Sequence, residues 1–144
     1  MKYNYPTLQQ AGTIYGDEAI SLWVKIQLED LNNYCGVKEK MTPEQLGEIA
    51  AIFLYNYGEI NIAEFALFMI KFKSGKYGQF YGTVDPLIIT TAMNEFMDDR
   101  MIAFRISERE RELREAAHKR EEWKKNAITY EQYQREIAEE NNQK

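Results

Sequence analysis

The sequence has few of the side chains that enzymes and metal sites depend on. Its 144 residues include one cysteine, Cys35, and one histidine, His118, which lie far apart in the chain. A single cysteine cannot form an intramolecular disulfide or a multi-cysteine metal site, and it fits a reducing compartment. Asp98 and Asp99 are neighbours on a predicted helix and point to different faces, so they make poor paired carboxylates. We therefore expect no catalytic residue, no cofactor and no metal, and hence a protein that is not an enzyme.

Long apolar runs are also missing. The longest apolar stretch, "FALFMI", is far too short to span a bilayer, and the first residues, "MKYNYPTLQQ", contain no apolar core of a signal peptide. These absences lead us to expect a cytoplasmic protein without membrane contact. A net charge of −5 disfavours a protein that coats nucleic acid by bulk electrostatics.

Helix signals, in contrast, are abundant. From Asp17 to Tyr34 the apolar residues recur at threes and fours, which indicates one face of a helix. Three later helices begin with capping boxes, in which an N-cap side chain and a Gln or Glu three residues on satisfy free backbone N–H groups. These boxes pair Thr42 with Gln45, Asn61 with Glu64, and Thr129 with Gln132. Residues 1–16 show no such period and are predicted to form an extended lead-in.

The middle and the end of the chain differ in character. The segment "IAEFALFMIKF" is apolar on nearly every side, which predicts a central helix that is buried all round. A further helix starts at Pro86 and either runs to about Lys125 or breaks near Ser107. From Asp98 onward there are 11 basic and 12 acidic residues, which is typical of a salt-bridged helix.

We therefore predict an all-α protein. Its core domain, residues 17–106, is a compact bundle of about four helices, and the tail, residues 107–144, holds a long, charged, projecting helix and a short C-terminal helix. The apolar residues of that charged helix are few, and the predicted contact line for an oligomer or a partner helix is Leu113, Ala117 and Trp123. No heptad pattern persists for three repeats, so a sustained coiled coil is not expected, whereas homo-oligomerisation stays open.

One segment departs from the helical pattern. "FKSGKYGQFYGTVDP", residues 72–86, alternates glycines with aromatic residues. Its spacing does not match a Walker phosphate loop, and its helical flanks do not match the strand of an RNA-recognition motif. Three interpretations remain: a structural corner or small hairpin, a protein contact, or a surface that stacks single-stranded bases and neutralises phosphates. The candidate contact residues are Lys73, Lys76, Tyr77, Phe80 and Tyr81.

The region from Met41 to Arg100, with its G-K-Y-G, F-Y-G and D-P elements, resembles a family of small proteins carried by gut-bacterial genomes, phages and mobile elements. Some of these proteins are encoded near replication genes, so the resemblance implies a replication-accessory or helicase-loader-like role. It supplies no catalytic residues.

The function that we expect is a non-catalytic protein-interaction module of a phage or mobile element, with a protein partner whose identity the sequence does not give. One alternative is a nucleic-acid-binding protein that uses the basic and aromatic residues 71–81. Another is a virion or assembly component that oligomerises through its long C-terminal helix.

Overall fold

The computed structural model describes residues 4–143, and this part of the chain is all-α, as predicted. It contains no strand within that range, only two isolated bridges, between Thr7 and Asn61 and between Glu39 and Thr83. The helices of the described residues are α1 (Leu8–Tyr15), α2 (Asp17–Tyr34), α3 (Pro43–Asn56), α4 (Ile62–Lys73), α5 (Pro86–Asn126) and α6 (Tyr130–Asn142).

The chain divides into two compact units, Met1–Asp99 and Arg100–Lys144. The division falls inside α5, whereas the sequence places the start of the tail at residue 107. Within residues 4–143, every buried apolar side chain lies between Leu8 and Phe96. The first unit therefore holds the whole of the described hydrophobic core.

The prediction of an extended lead-in is wrong for residues 8–15, which form helix α1. Thr7 caps the helix in a capping box with Gln10, and the N–H of Leu8 donates to the carbonyl of Ile60 at 2.8 Å. Leu8 and Ala11 are fully buried. The segment is helical because capping and burial act together on a stretch whose apolar residues are too few to show a period.

Helices α2 and α3 begin and end close to the predicted residues. The Thr42 capping box and Pro43 in the first turn of α3 are confirmed. Gly36, just after α2, has φ +66°, the left-handed conformation expected of a helix stop. The link between the two helices is held by the buried Asn32, whose side chain accepts a hydrogen bond from the N–H of Met41 at 2.8 Å and donates one to its carbonyl at 3.2 Å.

Helix α4 supplies most of the aromatic core, yet it is not buried all round, contrary to the prediction. Its buried residues lie on one face at helical spacing, whereas Leu67 and Ile70 on the opposite side are exposed. Small domains leave a large share of their surface in contact with solvent, so a helix that is apolar on nearly every side need not be enclosed. On the buried face, Phe68 makes edge contacts with Phe53 and Phe96, with ring centroids 6.0 and 5.6 Å apart.

The second unit consists of the distal part of α5 together with α6. Helix α5 continues without a break at Ser107, and α6 starts at the predicted Thr129 capping box. Charged side chains on α5 form ion pairs along the helix, such as Glu110 with Arg114 at 3.7 Å. None of the described residues of α6 is buried. Among residues 4–143, no helix combines the length and the apolar character needed to cross a membrane.

Candidate functional site

The segment 72–86, here called the corner, links α4 to α5 in the first unit. Gly75 and Gly78 have φ values of +83° and +97°, which glycine adopts without steric cost and which let the chain turn away from α4. At the other end the Asp85 carboxylate accepts a hydrogen bond from the N–H of Leu87 at 2.9 Å, so the predicted start of α5 is confirmed. No hairpin forms in the described corner, which instead donates the N–H of Val84 to the carbonyl of Glu39 at 3.1 Å.

Two of the five predicted contact residues face inward. Tyr77 lies against Phe68 and Phe72, each with ring centroids 5.6 Å apart. Phe80 stacks on Phe72 at 5.5 Å with an interplanar angle of 19°. The Tyr77 hydroxyl is buried and has no protein hydrogen-bond partner among the described residues, and burial raises the pKa of Tyr77. These two rings extend the aromatic core into the corner.

Tyr81 faces outward. Its side chain is 88% exposed, although it is flanked by Phe80, which packs on the core, and is followed closely by Val84, which is buried. The backbone on both sides of Tyr81 is therefore held in place while the ring itself extends into solvent.

The two predicted lysines are engaged within the unit. Lys73 pairs with Asp30 and lies over the ring of Tyr34, with Nζ 5.6 Å from the centroid. Lys76 pairs with Asp99 and lies over Tyr77 at 5.4 Å. The hydrogen bond from Lys76 lowers the pKa of Asp99 and raises the pKa of Lys76 itself.

A third lysine follows the same pattern. Lys71 lies over the ring of Phe96, with Nζ 5.4 Å from the centroid. All three lysines of α4 and the corner are therefore positioned over aromatic rings of their own unit, and two of them also meet a carboxylate. The positive charge that a phosphate backbone would need is largely compensated here.

An open cleft of about 370 Å³ lies beside the corner. It is formed by the ends of α2 and α4 and by the corner backbone. Its lining combines three aromatic rings, a lysine and two glycine backbones with a few polar groups, and the residues are Leu31, Tyr34, Cys35, Phe72, Lys73, Ser74, Gly75, Gly78, Gln79 and Phe80. Polar and apolar atoms contribute about equally to this lining, so the cleft could accept a side chain of a partner that has both an apolar and a polar part.

The cleft includes the single cysteine, but its environment does not activate the thiol. Burial raises the pKa of Cys35, an effect that the nearby Lys73 ammonium only partly opposes. A reactive cysteine has a lowered pKa, because the thiolate is the nucleophile. The described residues contain no cluster of three or more His, Cys, Asp or Glu side chains that could hold a metal ion.

All three residues of the predicted contact line of the tail lie in the second unit. Leu113 and Ala117 are exposed and one helical turn apart, so they share a face of α5. Trp123 is 80% exposed but lies about 80° around the helix from Leu113 at 3.6 residues per turn. His118 also lies on this helix, 3.7 Å from Glu122.

The partners of the corner lysines were not predictable from local pattern. Asp30 is 43 residues from Lys73, and Asp99 is 23 residues from Lys76. No spacing rule links residues so distant, because their proximity depends on how α2 and α5 pack against α4. The exposed Tyr34 at the end of α2 was missed for the same reason.

A family model matches residues 40–143, well over half of the chain, and its description is a family of unknown function, DUF6633. The chain belongs to this family. The match includes the corner, all of α5 and α6, and leaves out α1 and nearly all residues before α3. No curated protein and no solved structure gives a significant match.

Proposed function

We propose that this protein is a non-catalytic protein-interaction module and that the corner carries its contact surface. The observation that carries the proposal is the position of Tyr81, which is 88% exposed on a backbone held at both ends. On one side Phe80 stacks on the core, and on the other Val84 is buried and Asp85 caps α5.

A tyrosine presented in this way suits protein recognition. Its ring offers a large contact area, its hydroxyl forms hydrogen bonds, and only two side-chain torsions lose freedom on binding. The loss of backbone entropy on binding is also small, because the corner is already ordered by its own packing. The neighbouring cleft, bordered by Tyr34 and Phe80, would accept a side chain of the same partner that has both an apolar and a polar part.

The electrostatics of the corner favour a protein over nucleic acid. Lys73 and Lys76 are paired with Asp30 and Asp99, so a phosphate would have to compete with carboxylates already in place. The net charge of −5 adds repulsion at long range. Nucleic-acid binding through residues 71–81 is therefore the weaker alternative.

The biological setting belongs to the same proposal. The resemblance to proteins of phages and mobile elements suggests a replication-accessory or helicase-loader-like adaptor in the host cytoplasm. In that role the protein would act by binding another protein, without hydrolysing a nucleotide.

The proposal is tested with Tyr81→Ala and a matched control, Tyr55→Ala. Tyr55 is on α3 and is 91% exposed, so the two substitutions remove the same ring from equally open positions. Each full-length variant is used as bait in quantitative affinity capture from cells that carry the native gene, and captured proteins are then titrated as purified components. We expect Tyr81→Ala to weaken binding of the main protein partner by about tenfold or more, with Tyr55→Ala close to wild type.

Equal capture by all three baits would contradict the assignment of the contact surface to Tyr81. A gel-shift titration against single-stranded and duplex DNA at low and high salt tests the alternative. Steep, salt-sensitive DNA binding that is lost in a Lys73→Gln, Lys76→Gln variant would favour nucleic acid over protein.

A further inference from the structure

The distal part of α5 carries an apolar stripe that nothing in the second unit covers. Ile102, Ile106, Leu113 and Ala117 are all exposed, and at 3.6 residues per turn they lie within about 60° of one another. We name these four residues the stripe. None of the described residues from Arg100 onward is buried, so the stripe has no partner within this unit.

The stripe is part of an 11-residue repeat. Residues 102–112 read "IAFRISERERE" and residues 113–123 read "LREAAHKREEW". The first position of each repeat is Ile or Leu, the fifth is Ile or Ala, and the eighth and ninth are Arg and Glu. An 11-residue period corresponds to about 3.67 residues per turn, at which packed helices stay nearly straight or twist gently to the right. A search for heptads misses such a repeat.

The charges beside the stripe are arranged by sign. Arg109 and Arg120 border it on one side, and Glu110 and Glu121 border it on the other, each about 30° to 70° from its centre. Within the part of the chain described here, Arg109, Arg120 and Glu121 make no ion pair, and Glu110 meets only Arg114, at 3.7 Å.

The opposite face of the same helix differs. There Arg111 lies 3.9 Å from Glu108 and 3.8 Å from Glu115, and His118 lies 3.7 Å from Glu122. Several charges on this face thus have partners within the helix, although Glu112 and Lys119 have no ion pair among the described residues, whereas three of the four charges that border the stripe are unpaired. A helix of another molecule with the same arrangement of charges could supply ion-pair partners for the unpaired charges beside the stripe.

We infer that the stripe is a self-association surface whose occupant is the same segment of a second copy of this chain, in parallel orientation. Two parallel copies related by a twofold axis along the helices place the basic border of one against the acidic border of the other. Arg109 then meets Glu110 of the second copy, and Arg120 meets Glu121, while the apolar residues pack between them. An antiparallel pair would instead bring like charges together, since each border would face its own equivalent.

The oligomeric state of the full chain is the first test, with neighbouring residues as matched variants. Ile102 is 55% exposed and on the stripe, whereas Met101 is 52% exposed and about 100° away. In sedimentation velocity over a range of concentrations, we expect a wild-type dimer. Ile102→Asp should raise its dissociation constant about tenfold or more, and Met101→Asp less than about threefold. A wild type that stays monomeric, or equal effects of the two variants, would overturn the inference.

Charge reversal tests the ionic part of the interface. Glu110→Arg alone should place arginines on both borders and weaken the dimer about threefold or more. Combining it with Arg109→Glu exchanges the two signs and should return the dissociation constant to within about twofold of wild type. A double variant weaker than the single one would contradict the proposed pairing.

Orientation is tested by disulfide trapping in a Cys35→Ser background. In a parallel pair every stripe residue lies near its own equivalent, so Ile106→Cys and Ala117→Cys should each give a covalent dimer on mild oxidation. In an antiparallel pair only one position can lie at the twofold axis. Efficient trapping at one position alone, or at neither, would exclude the parallel arrangement.

Discussion

The two units of this molecule use the same secondary structure in different ways. In the first, α2, α3 and α4 each turn one apolar face inward and contribute to a core rich in phenylalanine. In the second, the distal part of α5 and all of α6 have no buried residue among those described. Helix α5 belongs to both, because it is buried at Ile89, Ala92, Met93 and Phe96 and has no buried residue beyond Arg100.

The comparison shows that helical propensity and burial are separate properties. The second unit is helical because capping, ion pairs and strong helix formers stabilise it locally, whereas the first is stabilised mainly by burial of apolar side chains. Substitutions should therefore have large effects on the stability of the first unit and small effects on that of the second.

The largest contrast is expected between Phe68→Ala and Trp123→Ala. Phe68 is fully buried among other rings, so its removal should lower the free energy of unfolding by about 3–5 kcal/mol. Trp123 is 80% exposed, and its removal should change that free energy by less than about 0.5 kcal/mol. Urea unfolding followed by circular dichroism measures both. A large loss in Trp123→Ala would show that the tail is packed.

The corner should behave as part of the packed unit. Tyr77→Ala removes a ring that contacts Phe68 and Phe72 and should cost about 2–3 kcal/mol in the same unfolding assay. Tyr77→Phe keeps the ring and removes a hydroxyl that has no protein partner among the described residues, so it should change stability by less than about 1 kcal/mol. A large loss of stability in Tyr77→Phe would mean that the hydroxyl makes a hydrogen bond.

Substitutions of two glycines should change stability in opposite directions by smaller amounts. Gly78 has φ +97°, so Gly78→Ala should destabilise the protein by about 1–2 kcal/mol through backbone strain. Gly47 lies inside α3, where an added Cβ would meet only the Lys25 side chain at ordinary distances of 3.7 Å or more. Gly47→Ala should therefore stabilise by up to about 1 kcal/mol. Thermal unfolding would show melting temperatures that move in opposite directions, and a shared direction would contradict this account of the corner.

The smallest expected effect is the pH dependence of the pair between Lys76 and Asp99. The hydrogen bond lowers the pKa of Asp99 in the folded protein. The pair therefore stabilises the folded protein at pH values above the Asp pKa of the unfolded chain, about 4, and this stabilisation is lost as the pH falls through the lower pKa of Asp99 in the folded protein. The pKa of Lys76 is also raised in the folded protein. The stabilisation that Lys76 contributes is therefore lost only as the pH rises through this raised pKa. Lys76→Gln should melt slightly below wild type at neutral pH, and the gap should close in acid. Lys38→Gln serves as an exposed control, and a gap that widens in acid would contradict the pairing.

Local signals in the sequence predicted much of the first unit. The capping boxes at Thr42 and Asn61 and the start of α5 at Asp85 and Pro86 depend on residues a few positions apart, and all are confirmed. Helix α1 was missed although its own box, Thr7 with Gln10, is present. Its apolar residues are too few to show a period, and the N–H of Leu8 at its start bonds to the carbonyl of Ile60, which is distant in the sequence.

The candidate site was predictable only in part. The glycine and aromatic pattern located the corner, but which rings face inward depends on contacts with α4, and the partners of its lysines come from α2 and α5. Such pairings follow from tertiary packing and cannot be recognised from neighbouring residues in the sequence. The outward position of Tyr81 therefore required the structure.

Hydrogen exchange of the full chain, followed by mass spectrometry at about 1 μM, tests most directly the claim that one unit is packed and the other is not. Amides in the middle of α4 should exchange at least about 1,000-fold more slowly than those of α6, because opening the core requires most of the global unfolding free energy, whereas α6 has no buried residue. Equal protection of α4 and α6 would contradict the claim.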